Sequence, residues 1–246
     1  MSRYYSVDVL AKLLRVLWVP QYRRAFLHAR VAASTEHERI LEGLQLSTIV
    51  DIGANRGQFA LCVRRLYPRA QIFSFEPLDK PALAWARIFE SDPRARLFKK
   101  AIAAQSGSAT MHVSRWDVSS SLLPIGQAQH ENFPFTEETS RETVETTTLD
   151  ACIEAGMIRA PALLKLDVQG SELAALHGCS TLLDQFAHVY VEASFIELYV
   201  GQAMATEVIR FLFERGFYLM CVANLSHGAS ERPIQADFLF SRSINR

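Results

Sequence analysis

The chain has 246 residues, 49% apolar and 21% charged, an ordinary balance for a globular protein and long enough to bury one sizeable core. Lysine plus arginine and aspartate plus glutamate both number 26, so the formal charge is zero and the basic surplus that nucleic-acid binding usually needs is missing. Cys62, Cys152, Cys179 and Cys221 form no CxxC pair and no run of about 18 uncharged apolar residues occurs, which sets aside zinc knuckles, disulfide frameworks and membrane spans and predicts a cytoplasmic protein with free thiols.

Residues 1–45 read as helical throughout. Val7, Leu10, Leu14, Leu17 and Trp18 recur at spacings of three and four and mark one apolar face. Lys12 and Arg15 interrupt the apolar stretch 7–19, which the core of a secretory signal would tolerate poorly. With Arg3, Arg23 and Arg24 they make the segment basic, so it could rest on a membrane surface or pack over the next domain as a lid. Packing is the preferred reading, giving an N-terminal extension, 1–45, and one domain, 46–246.

From residue 48 short apolar runs alternate with helical stretches. Thr48–Ile52 reads as a strand, Gln58–Leu66 as a helix and Gln71–Phe75 as a second strand. A helix with Pro81 in its first turn follows, reaching about Glu90. A third strand covers 96–103. Strands at 163–167 and 188–192 flank a helix over 171–183, whose start Ser171 is placed to cap. A helix over 203–215, stopped by Gly216, precedes strands at 217–222 and 236–240. The order predicts a doubly wound α/β architecture with seven strands, mainly parallel, in which the last two form a hairpin at the sheet edge and the final strand runs against the others. The stretch 106–148 breaks this rhythm: strands at 109–114 and 144–148 bracket a long loop rich in Ser, Pro and Gly, and loops of that length are usually functional or mobile.

The chemistry gathers where strands end. Val50-Asp51-Ile52-Gly53-Ala54-Asn55-Arg56-Gly57 joins the first strand to its helix, at the ligand-binding edge of such a sheet. Gly53 and Gly57 allow a tight turn and close approach to a ligand. The dinucleotide fingerprint would need glycines where Asn55 and Gln58 stand, and Asp51 would repel a pyrophosphate; a carboxylate there suits a ligand bearing a cationic amine. The second strand ends in Phe75-Glu76-Pro77, with Glu76 placed to accept hydrogen bonds from both hydroxyls of a ribose. The loop after the third strand, at Ala101, is placed to flank an adenine. Asp167 and Glu192 end the fourth and fifth strands on the same edge, and burial would not favour acids there without ligands, partners or water.

In this order and spacing, VDIGANRG, FEP, Leu149-Asp150 with Gly156, LKLDVQGSE and VYVEASF resemble the FkbM family of methyltransferases over about residues 48–240. The resemblance implies a Rossmann-like seven-stranded sheet, S-adenosylmethionine as cofactor, and O-methylation of a hydroxyl on a sugar, polyketide or related small molecule. Where the family commonly shows Asp-x-Glu-Gly this chain has Asp167-Val168-Gln169-Gly170, with one carboxylate fewer.

Methyl transfer from a sulfonium is an in-line displacement, so alignment of the reactants supplies much of the acceleration. A hydroxyl must also lose its proton, and Asp167, Glu192 and His227, the last in the loop between the final two strands, are the candidate bases. Asp167 could instead hold the cofactor's amino group. Asp167, Glu172 and Glu192 could converge on Mg²⁺ or Ca²⁺, but Gln169 lowers the charge there and a metal-free base is preferred. The competing readings are a Rossmann oxidoreductase, disfavoured by the displaced glycines, a non-catalytic S-adenosylmethionine-binding module, and a membrane-surface adaptor.

Overall fold

The computed structural model describes residues 2–228 and 231–242, with side chains from Leu10 onward; Val7 lies outside those described side chains. The chain opens with α1 (Ser2–Trp18), α2 (Pro20–Ala29) and a short α3 (Glu38–Leu41). Helix over the whole of 1–45 is thus not what forms. Pro20 has no N–H for the preceding turn and so starts a new helix after the extended Val19, while Arg30 in the left-handed region (φ 54°) ends α2. The predicted apolar face is also turned round: Leu10, Leu14, Leu17 and Trp18 are exposed, and Val16, Val19, Tyr22 and Ala25 carry the packing.

Among the described residues ten strands follow: β1 (Thr48–Ile52), β2 (Gln71–Phe75), β3 (Ala95–Phe98), β4 (Ala101–Ile102), β5 (Gly107–Ser114), β6 (Glu138–Thr147), β7 (Ala162–Leu166), β8 (His188–Ser194), β9 (Tyr218–His227) and β10 (Pro233–Ser241). Between them run α4 (Gln58–Leu66), α5 (Asp79–Phe89), α6 (Gln127–Asn132), α7 (Glu172–Gly178) and α8 (Ala205–Phe213). The main sheet has seven strands in the order β3-β2-β1-β7-β8-β10-β9. The five strands from β3 to β8 are parallel, and β10 is antiparallel to both β8 and β9, as expected for the final strand. After β1 the chain winds outward to β2 and β3, then returns to place β7 on the other side of β1. The carboxyl ends of β1 and β7 therefore sit at the reversal point of the sheet, where a crevice opens.

Two differences from the expected elements matter. The strand predicted over 96–103 divides: Lys99 and Lys100 leave the sheet to pair with Asp79 and Glu145, and β4 joins β6 and β5 in a separate three-stranded sheet. The helix predicted over 171–183 ends at Gly178 and gives way to turns and a 3-10 segment, Leu183–Gln185. No helix among the described residues is long and apolar enough to cross a membrane.

Alternation along the strands separates two cores. Val50, Ile52, Phe75, Leu164, Leu166, Val191 and Phe238 pack with α7 and α8 on one face. Ile49, Leu163, Tyr190 and Leu239 face the other, where α4, α5 and the N-terminal segment cover them. Asp51 and Lys165 share that second face, side by side in the parallel register of β1 and β7.

Candidate active site

A cleft of about 900 Å³, its open mouth included, lies over the reversal point. Its floor is the turn after β1. Gly53 has φ +78°, and a Cβ there would stand 1.8 Å from the Asp167 carbonyl oxygen, so the neighbouring turns after β1 and β7 can meet only through a glycine. Gly53, Asn55, Glu76, Pro77, Ala101 and Asp167, all expected at the site, line the cleft. Gly57 does not. It is left-handed (φ +90°) at the start of α4, and an added Cβ would fall 2.9 Å from Trp85, so its smallness serves helix packing.

Glu76 is buried at the end of β2 and orders its surroundings. One carboxylate oxygen accepts the Asn55 N–H at 3.0 Å and the other the Leu78 N–H at 2.8 Å, so the glycine turn and the next loop are fixed to a single side chain. Burial pushes its pKa up to about 7, against the pull of these two donors.

Asp51, expected to face a ligand's amine, is fully buried and takes no part in the lining. The cation beside it belongs to the protein: Lys165 Nζ is 3.0 Å from Asp51 and donates to the Gly53 carbonyl at 2.9 Å. Burial opposes the charge on Lys165, but Asp51 and then Asp167, 3.7 Å away, overcome it and raise the ammonium above its ordinary range. The pair ties the floor of the cleft to the centre of the sheet.

Around Asp167 the neutral residue of the Asp-Val-Gln-Gly run proves central. Gln169 is left-handed (φ 54°), and its amide nitrogen donates to Asp167 at 2.8 Å and to Glu192 at 2.9 Å, while its amide oxygen accepts the Tyr199 hydroxyl at 2.7 Å. A glutamate at 169 would set a third carboxylate against the other two. Glu192 also accepts from Gln235 at 2.9 Å and is half-buried on the far side of Gln169, outside the lining. Burial, then Asp167, Asp237 and Glu172, push its pKa well above the usual range. Glu172 is buried too, accepting the Val168 and Gly170 N–H groups at 3.1 Å each. It thus fixes the turn before α7, and Ser171, expected to cap that helix, makes no side-chain cap. Among the described residues no three His, Cys, Asp or Glu side chains form a metal-ligand set. His227 ends β9, exposed and paired with Pro233, and is not part of the lining. The loop expected around it is strand, so it never reaches the cleft.

Several lining residues had no advance signal. Ser34 and His37 come from the N-terminal segment, and Gln58 and Phe59 from α4. His37 packs edge-on against Phe59 and lies 2.9 Å from the Tyr190 hydroxyl, which donates to Asp237 at 2.8 Å. Burial holds His37 below its ordinary 6.5 despite Asp237. Asp117, Val118, Ser120 and Leu122 come from the stretch between β5 and β6. That stretch is pinned down by Arg56, which donates to Asp117 at 3.0 Å, and by Ser121, which donates to the Gln169 carbonyl at 2.6 Å.

A family model described as the methyltransferase FkbM domain matches residues 51–219, the stretch that carries the glycine turn, Glu76, Lys165, Asp167 and Glu192. The chain belongs to the FkbM methyltransferase family. It is 33% identical over 172 residues to the 2-O-methyltransferase NoeI of Sinorhizobium fredii (strain NBRC 101917 / NGR234), covering 67% of this chain and 70% of that protein. Among solved structures it is similar to precorrin-6y C5,15-methyltransferase from Geobacter metallireducens GS-15, with 11% identity, TM-score 0.47, and 87% and 93% of the two chains covered. It is also similar to Aeropyrum pernix fibrillarin in complex with natively bound S-adenosyl-L-methionine, with 13% identity, TM-score 0.43, and 82% and 72% covered. In this FkbM methyltransferase Ser34 and His37 reach the cleft from outside the matched stretch, which explains why no family motif pointed to them.

Proposed function

We propose that this methyltransferase uses S-adenosylmethionine to methylate a hydroxyl oxygen of a small molecule, a sugar or related natural product, with Asp167 as the base. The observation that carries the reading is one cleft with Glu76 on the end of β2 and the partly open Asp167 on the end of β7, whose side chain is 40% exposed. The residues fit the cofactor. Glu76 keeps lone pairs for two ribose hydroxyls, and Pro77, Leu78, Ala101, Ile102 and Met111 give an apolar slot for a flat base. Gln58 holds a buried amide oxygen with no partner, an acceptor suited to an amino group, the role first expected of Asp51. The cofactor supplies an electrophilic methyl carbon on a sulfonium.

Asp167 is oriented by Gln169 and takes the hydroxyl proton as the oxygen–carbon bond forms and the carbon–sulfur bond breaks, leaving a methyl ether, S-adenosylhomocysteine and a protonated Asp167. The oxygen nucleophile is supported by the named activity of NoeI. The exposed rings of Trp116 and Phe135, whose backbones bond at 3.0 Å beside Asp117, offer apolar surface near the mouth for a ring-shaped acceptor. Residues 1–45 act as an extension that closes the cleft through Ser34 and His37, and not by the leucine face of α1.

Calorimetry tests the cofactor assignment. S-adenosylhomocysteine is expected to bind at micromolar concentration, about −8 kcal/mol, and NAD not to bind. Glu76→Ala should weaken binding by about 1.5–3 kcal/mol, the range for hydrogen bonds to a charged group. The reverse ligand preference would overturn the assignment, and an unchanged affinity would remove Glu76 from the ribose.

The raised pKa of Glu76 adds a pH dependence. Free, its carboxyl is higher in the folded than in the unfolded chain, so stability from this group declines as pH rises from 4.5 to about 7. Ribose hydroxyls donate to the ionised form, so binding should release a proton and affinity should fall as pH is lowered through about 7. Titrations at pH 6 and 8 in two buffers of different ionisation enthalpy read both effects, and Glu76→Gln should abolish them.

A further inference from the structure

Helix α1 is mounted with its polar side inward. Lys12 Nζ lies 2.8 Å from Glu36 and Arg15 Nη2 2.9 Å from Glu38, so both cations are spent on the body of the protein. Leu10, Leu13, Leu14 and Leu17 are exposed, and Trp18 is 83% exposed. Leu27 on α2 is exposed as well. A helix that packed by its hydrophobic stripe would show the opposite arrangement. Four leucines and a tryptophan on one solvent-facing helix make a patch that a protein working free in water would not ordinarily keep.

The surrounding charge says what covers it. Residues 10–30 contain five Lys or Arg and no Asp or Glu, in a chain whose total charge is zero. Arg23, Arg24 and Arg30 are exposed, and among the described residues none of them has a carboxylate within ion-pair distance. We propose that this face of α1 and α2 docks the enzyme on an anionic lipid surface. Leucines and a tryptophan enter the boundary between headgroups and acyl chains, and the unpaired arginines meet lipid phosphates and carboxylates, the two attractions that hold interfacial helices. Tryptophan at the helix end suits the interface itself. A second copy of the chain fits less well, since a two-fold contact through this face would set the same unpaired arginines against each other. The docked helix is coupled to the cleft, because Glu36 and Glu38, its two anchors, flank His37 in the lining.

Flotation of the full chain with phosphatidylcholine vesicles, alone or with about 30% phosphatidylserine, tests the proposal. The protein should float with the anionic vesicles and stay behind with the neutral ones, and high salt should release it. Leu14→Glu/Trp18→Glu should lower the bound fraction roughly tenfold or more while S-adenosylhomocysteine binding, which reports the fold, is unchanged. Equal flotation on neutral vesicles, none on anionic ones, or full flotation of the variant would overturn it. So would a dimer in analytical ultracentrifugation that the same variant dissolves without any vesicle binding.

Discussion

Lys165→Met is expected to destabilise the fold by about 3–5 kcal/mol, the loss that follows when one partner of a buried ion pair is removed. Asp51 has no exposure at all and Lys165 Nζ lies 3.0 Å from it, so the variant leaves a carboxylate deep in the sheet without a counter-charge. The Gly53 carbonyl loses its donor in the same step. Against a typical total of 5–15 kcal/mol, such a loss brings many domains to the edge of unfolding. Urea denaturation followed by circular dichroism reads the effect directly. Adding Asp51→Asn to Lys165→Met should restore at least about 1 kcal/mol, because the stranded charge is then gone. A single-variant loss below about 1 kcal/mol would mean that the pair is not the brace of the glycine turn.

Asp167→Asn is expected to lower kcat by about 10²–10⁴-fold, the range for losing a positioned base. Affinity for S-adenosylhomocysteine should change little, because Gln58 and Glu76, not Asp167, are assigned to hold the cofactor. Single-turnover kinetics with an identified acceptor, alongside calorimetry, separates the two quantities. A variant that binds cofactor poorly but turns over normally at saturation would move Asp167 from the acceptor's proton to the cofactor's amine. His37 is the natural control: it lines the cleft from a different element, and burial holds its pKa down.

Much of the sheet was legible because β1, β2, β7 and β8 are short apolar runs ending in an acid or glycine, which only a strand leading into a crevice readily explains. The pairing of Lys165 with Asp51 could also have been found. A lysine inside the buried run Leu163-Leu164-Lys165-Leu166 needs a counter-charge, and Asp51 stands inside the equally buried Thr48–Ile52. What stayed hidden depends on contacts remote in sequence. Periodicity located the leucine stripe of α1 but could not say which side met the core, since that was decided by Glu36 and Glu38. The roles of Gln169 and His37 rest on Glu192, Tyr199 and Tyr190, side chains 23 to 153 positions away. His227 lies outside the cleft because β9 runs on to that residue.

The amide of Gln169 also sets a direction for proton traffic. An amide neither gains nor loses a proton at ordinary pH, so the bridge it makes between Asp167 and Glu192 holds both carboxylates in place yet conducts nothing between them. A carboxylic acid at 169 would have joined them into a wire running from the cleft into the sheet. Here the wire is cut: under the proposed mechanism a proton taken up by Asp167, whose side chain is 40% exposed, stays on that side chain and leaves by the mouth. Glu192, on the far side of the amide and outside the cleft's lining, lies off that route.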